Sequence, residues 1–122
     1  MNEKQVVTQF WAAMEARDWE RLRSCLDGEF RAFWPQSGEK FDVDGFIRVN
    51  RAYPGDWHVR IVSFVLSVEN VVTEVDVDIG NRTDRAVSFF VVRSGKILNL
   101  REFWPDPFPV PEWRRTLMAS QP

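Results

Sequence analysis

The sequence predicts an α+β fold in which short helices pack on one face of a curved antiparallel sheet, a cone-like layer wrapped around its N-terminal helices. Three observations carry that expectation. After Trp57 the spacing of apolar residues changes from about 3.6 to 2, the change from helix to strand. The strand-like segments that follow are joined by links such as Gly80-Asn81 and Ser94-Gly95, too short for the crossover that parallel neighbours need. With 122 residues, 44% of them hydrophobic, the chain is long enough for one good core and reads as a single domain over 1–122.

Over residues 4–17, Val6, Val7, Phe10, Trp11 and Met14 recur at helical intervals and form one apolar stripe. Asp18 is the expected N-cap of a second, short helix that gathers Trp19, Leu22, Cys25 and Leu26 and ends at Asp27-Gly28. Residues 28–34 read as a strand, halted by Pro35-Gln36-Ser37-Gly38. Asp42 caps a third helix, with Asp44 in its first turn, where the helix dipole favours an acid. The inner face of that helix is Val43, Phe46, Ile47 and Asn50. Tyr53-Pro54-Gly55-Asp56 has Pro and Gly where a type II turn wants them. Four strands are expected over 57–69, 71–79, 84–93 and 96–104. The Pro-rich stretch 105–111 then crosses the sheet end as extended chain, and Glu112-Trp113-Arg114-Arg115 adds a turn of helix.

Composition excludes several classes. Sixteen Lys and Arg against eighteen Asp and Glu leave a net charge of −2, so no basic patch calls for nucleic acid or an anionic membrane as partner. One Cys (Cys25) and one His (His58) allow neither a disulfide within the chain nor a Cys/His zinc cluster, and no Ser–His–acid triad stands out. No leader pattern opens the sequence and no apolar run approaches about 18 residues, so a cytoplasmic protein with a reduced thiol is expected. There is no nucleotide or flavin motif, and no cofactor is expected. Ten Phe and six Trp against a single Tyr mean large apolar bodies lining a core or a cavity.

Phe10-Trp11 on the first helix, Asp18-Trp19 opening the second and Arg101-Glu102-Phe103-Trp104-Pro105-Asp106 ending the last strand complete a pattern. Together with the element order, it resembles the nuclear-transport-factor-2-like superfamily, whose SnoaL-like domains include ketosteroid isomerases and polyketide cyclases. The resemblance spans residues 3–113. It implies an α+β roll of the cystatin-like kind, with an apolar pocket at the cone's open end and a homodimer formed through the convex face. Ketosteroid isomerases use an Asp base together with a Tyr and a protonated Asp as hydrogen-bond donors. Matched without gaps, those positions fall on Phe33-Trp34, Phe10 and the neighbourhood of Phe89. None of these exchanges a proton, and only the Trp34 indole donates a hydrogen bond, so that mechanism is not expected.

The remaining polar chemistry centres on Glu102. If Ser94-Gly95 is a two-residue turn, Val91 pairs with Leu98, Phe89 with Leu100, Val87 with Glu102 and Arg85 with Trp104. Two readings of Glu102 stay open. In one it stands at an apolar cavity wall beside Trp104, its pKa raised by desolvation, and works as an acid or base. In the other it pairs with Arg85 at the rim. The expected ligand contacts are Phe10, Trp34, Asn50, Phe89, Leu100 and Trp104, with Glu102 as the catalytic candidate. Asn50 either hydrogen-bonds inward or ties down its helix end. His58 reads as a surface residue at a strand entry, its role open. The alternation Glu74, Asp76, Asp78 reads as a solvated outer face or as partners of a cross-strand Arg60, and no metal is expected there. The function expected is binding of a small apolar molecule, aromatic or polycyclic, with cofactor-free proton transfer such as isomerisation, cyclisation or dehydration. The competing expectation is a non-catalytic homodimeric adaptor with a vestigial pocket, so whether the chain is an enzyme stays open.

Overall fold

A computed structural model describes residues 2–119. The elements are α1 (Glu3–Ala16), α2 (Trp19–Ser24), β1 (Leu26–Trp34), β2 (Glu39–Phe41), α3 (Val43–Ala52), β3 (Trp57–Leu66), β4 (Val71–Ile79), β5 (Arg82–Arg93), β6 (Lys96–Phe103) and α4 (Glu112–Met118). The first three helices start where a side chain takes up a backbone N–H that the helix cannot satisfy. Asn2 accepts from the Gln5 N–H at 2.8 Å, and the Gln5 side chain accepts from the Asn2 N–H at 2.9 Å, a reciprocal capping box. Asp18 accepts from the Arg21 N–H at 3.1 Å and Asp42 from the Gly45 N–H at 2.8 Å. α1 ends on Arg17 in the left-handed region at φ 56°, and its guanidinium carbon lies 3.3 Å from the centroid of the Trp57 ring.

The strands form one sheet in the order β2-β1-β6-β5-β4-β3. Neighbours are antiparallel except β1 and β6, which run parallel with Ala32 opposite Leu100 and Phe33 opposite Arg101. Beyond shifted ends at β3, which stops at Leu66, β5, which starts at Arg82, and α4, which runs on to Met118, expectation and structure differ at three places. The second helix stops at Ser24, so Leu26 already belongs to β1. The hairpin partner β2 is only three residues long, too short to show a period in the sequence. The last hairpin has a shifted register: Arg93–Lys96 and Val92–Ile97 pair as the tight turn dictates, but the next pairs are Val91–Asn99, Phe90–Leu100, Phe89–Arg101 and Ser88–Glu102. Leu98 is the extra residue of a β-bulge, and every pair beyond it slips by one. A second irregularity between Ile61 and Ser63 and a third between Leu26 and Arg31 also interrupt regular pairing. Bulges bend a strand and strengthen its twist, which curls this sheet over the helices.

The slip decides which side chains face inward. Val71, Thr73, Val75 and Val77 of β4, Ala86, Ser88 and Phe90 of β5, and Leu100 and Glu102 of β6 are all buried on the concave side. α1 fills the hollow. Phe10 is wholly buried, its ring 5.0 Å from Trp11, 6.0 Å from Phe46 and 5.1 Å from Phe90. Burying such a side chain contributes about 1.5–3 kcal/mol, so this aromatic cluster is the main apolar tie between helix and sheet. The Trp11 indole N–H, which needs an acceptor once buried, donates to Thr73 Oγ1 at 3.2 Å.

The convex face carries a run of cross-strand ion pairs. Asp76 stands opposite Arg60 on one neighbouring strand and Arg85 on the other, at 3.1 and 2.9 Å. Arg85 also reaches Glu74 at 3.2 Å. The hydrogen bond from Arg85 holds the Asp76 carboxyl below its ordinary value. The acidic alternation is thus a cross-strand ion-pair ladder. Among the described residues no helix is long and apolar enough to cross a membrane.

Candidate functional site

Strand alternation turns Glu102 inward beside Leu100, and the slipped register places it opposite Ser88. Only 2% of Glu102 is exposed. Its Oε2 lies 2.6 Å from Ser88 Oγ. Its Oε1 accepts two indole N–H groups, from Trp34 Nε1 at 3.1 Å and Trp104 Nε1 at 2.8 Å. The donors come from both flanks: Ser88 from β5, Trp34 from the end of β1, Trp104 from the residue after β6. An indole N–H only donates, whereas a hydroxyl both donates and accepts. The two tryptophans therefore define Oε1 as the acceptor oxygen, and a proton on this carboxyl sits on Oε2, donated to Ser88. Burial drives the Glu102 pKa up, the hydrogen bonds from Ser88, Trp104 and Trp34 pull it back, and the net displacement is upward.

Glu102 faces a hollow of about 20 Å³ that it shares with Trp11, Met14, Asn50, Tyr53, Trp57 and Trp104. That is room for about one water molecule. Beyond Asn50, Tyr53 and Trp104, which line both spaces, lies an outer groove of about 390 Å³ between the end of α3 and the chain leaving β6. Trp104 is the shared wall.

Of the residues expected to meet a ligand, Trp34, Asn50, Trp104 and the candidate acid Glu102 come together here. Phe10 and Leu100 belong to the core and line neither space. Phe89 corrects the expected facing: the Leu98 bulge turns it to the convex side, 6.1 Å from Phe103 and under Arg101 at 4.6 Å. The rim pairing of Glu102 with Arg85 does not form, because Arg85 is on the opposite face with Asp76 and Glu74. Asn50 donates from Nδ2 to the Phe46 carbonyl at 2.9 Å, so it ties its own helix while walling the hollow. His58 lies at the surface with Nδ1 2.8 Å from Glu15 Oε2 and Nε2 3.3 Å from Asp56 Oδ1. The hydrogen bond it donates to Glu15 raises its pKa, and it takes no part in the hollow. Sequence reasoning missed Ser88, Tyr53, Trp57 and Met14. Ser88 had a signal, as a lone hydroxyl in the run Ala86-Val87-Ser88-Phe89-Phe90, but its opposite number depends on the bulge.

This architecture, a helix held inside an open, curled sheet, is that of the nuclear-transport-factor-2-like α+β roll. Residues 7–100 match the model of the SnoaL-like domain, and the chain belongs to that family. A candidate ketosteroid isomerase from Kribbella flavida superposes with a TM-score of 0.84 at 24% identity, over 97% of this chain and 88% of that one. A nuclear-transport-factor-2-like protein of unknown function from Burkholderia xenovorans gives 0.77 at 23%, over 93% and 90%. IdmH of Streptomyces antibioticus, a candidate polyketide cyclase, gives 0.75 at 15%, over 85% and 92%. At these identities the likeness shows the fold alone. No curated protein matches the chain significantly.

The buried acid has a consequence for stability. Because the folded pKa of Glu102 lies above the unfolded value of about 4.3, the unfolded chain releases this proton first as pH rises. The Glu102 contribution to stability is therefore greatest below that value and declines with rising pH until the folded pKa is passed. Glu102→Gln copies the protonated acid, with an oxygen for the indoles and an amide for Ser88. Melting curves between about pH 4 and pH 8 are expected to show the Glu102→Gln variant gaining on the wild type as pH rises. A gap that stays constant across the range contradicts the upward shift.

Proposed function

We propose that the open end of the cone binds a small apolar molecule, aromatic or polycyclic, and that Glu102 exchanges a proton with it in a cofactor-free reaction of the isomerase, cyclase or dehydratase type. The observation that carries this reading is the position of Glu102, a desolvated carboxyl at the inner end of an aromatic-walled space. The outer groove, at about 390 Å³, falls in the size range of small-molecule sites. A ligand seated there reaches Glu102 by displacing Trp104, which lines both spaces and ends the sheet just before the Pro-rich segment. Raising the carboxyl pKa brings its two protonation states closer to balance near neutral pH, the condition for efficient proton transfer.

2-Tetralone, a bicyclic ketone with exchangeable α-hydrogens, is a suitable probe. It is expected to quench tryptophan fluorescence saturably and to exchange α-hydrogen for solvent deuterium faster with the protein than in buffer. Glu102→Gln keeps the quenching and loses at least about 10²-fold of the exchange, the usual contribution of a positioned acid or base. Saturable quenching with exchange at the buffer rate removes the chemistry, and no saturable quenching removes the pocket.

The small size of the inner hollow favours a second reading, a non-catalytic homodimeric adaptor whose pocket is vestigial. Its interface is the convex patch of Phe33, Phe89, Val91 and Phe103, with Phe33 36% exposed. Sedimentation at micromolar concentration is expected to give twice the 14.4-kDa chain mass, and Phe89→Asp to return the monomer. A wild-type monomer overturns the dimer.

A further inference from the structure

Asp84, one of the residues lining the outer groove, has a carboxylate oxygen that no described residue serves. Asp84, inward-facing at the start of β5 opposite Val77, holds Arg82 by Oδ2 at 3.1 Å. Its Oδ1 is buried and has no hydrogen-bond partner among the described residues. A buried carboxylate oxygen without a donor carries the full cost of its lost hydration, and structures retain such groups where something else supplies the donor. Asp84 lines the groove together with Trp34, Tyr53, Trp104 and a second acid, Asp106, and no Lys or Arg is among the lining residues. Arg82, the cation paired with Asp84, is already engaged at the other oxygen. Aromatic rings and an unpaired carboxylate oxygen both favour a cation that also bears an N–H.

We propose that this groove binds a protonated alkyl- or arylalkylamine, with an N–H donated to Asp84 Oδ1 and its charge set against the rings of Trp34 and Trp104. The inference rests on the reading of the open end as a ligand site and names the ligand's polar head. The ammonium supplies the donor Oδ1 lacks, and the apolar body points past Trp104 towards Glu102. A neutral apolar ligand of the same shape fills the groove and leaves Oδ1 unserved. A carboxylate or phosphate ligand meets two acids and is disfavoured.

Two probes of matched shape separate this inference from the pocket itself. Phenethylamine is cationic at pH 7, while n-propylbenzene replaces its ammonium with a methyl group. Titrated into the wild-type protein and followed by tryptophan fluorescence, phenethylamine is expected to bind about tenfold more tightly or better, the value of one charged hydrogen bond. In Asp84→Asn protein the two affinities converge. Equal affinities in the wild type, as expected if a water satisfies Oδ1, overturn the inference, and so does a preference that survives Asp84→Asn. Binding of n-propylbenzene alone leaves the apolar site standing and removes the amine; binding of neither removes both. The wild-type comparison needs no variant, so equal affinities overturn the inference even if the Asp84→Asn variant folds poorly.

Discussion

A carboxyl group shut away from water at the open end of the cone is the constraint on which the other features turn. Desolvation penalises Glu102 in its charged form, and an unmatched buried acid is among the costliest groups a fold can carry. The protein answers with donors from every adjoining element: Ser88 across the hairpin, Trp34 on the parallel neighbour and Trp104 just beyond the strand. Those bonds fix more than the acid. They pin the end of β1 to β6 where the two share a parallel register, and they hold both indole rings as the wall between the inner hollow and the outer groove.

The rest of the molecule makes that arrangement tolerable. The narrower part of the cone is filled by α1 through Phe10, Trp11 and their aromatic neighbours, so the apolar driving force is complete without the open end. On the other side of the sheet Arg60 and Arg85 flank Asp76, and no cation among the described residues pairs with Glu102 to hold it ionised. Glu15 with His58, and Arg17 on Trp57, fasten the end of α1 to the start of β3. A rigid frame thus surrounds a small space whose outer wall is a half-buried tryptophan followed by a Pro-rich segment.

Much of this was legible in the amino-acid sequence. The caps Asp18 and Asp42, the stripe from Val6 to Met14 and the change of period after Trp57 are local signals, and local chemistry decided them. Glu102 stood out because an acid interrupts an aromatic strand end, and the ladder of acids was readable because Arg60 falls opposite Asp76. What lay beyond reach was set by long-range pairing. One unpaired residue, Leu98, turns Phe89 outward and brings Ser88 to Glu102, and no local preference marks it. The parallel alignment that carries Trp34 to Glu102 joins segments 68 residues apart. Asp84's unserved oxygen depends on how three elements meet, which the chain order alone does not show.

Glu102 is a buried acid whose proton is held more tightly than that of a free glutamate. Infrared difference spectra between wild-type and Glu102→Gln protein read it directly, since a protonated carboxyl has a carbonyl band that a carboxylate lacks. This band is expected to persist in the wild type above the ordinary glutamate pKa of about 4.3 and to be absent in the variant. A band that disappears at or below that value shows the acid to be ordinary, and contradicts both the desolvated site and the chemistry assigned to it.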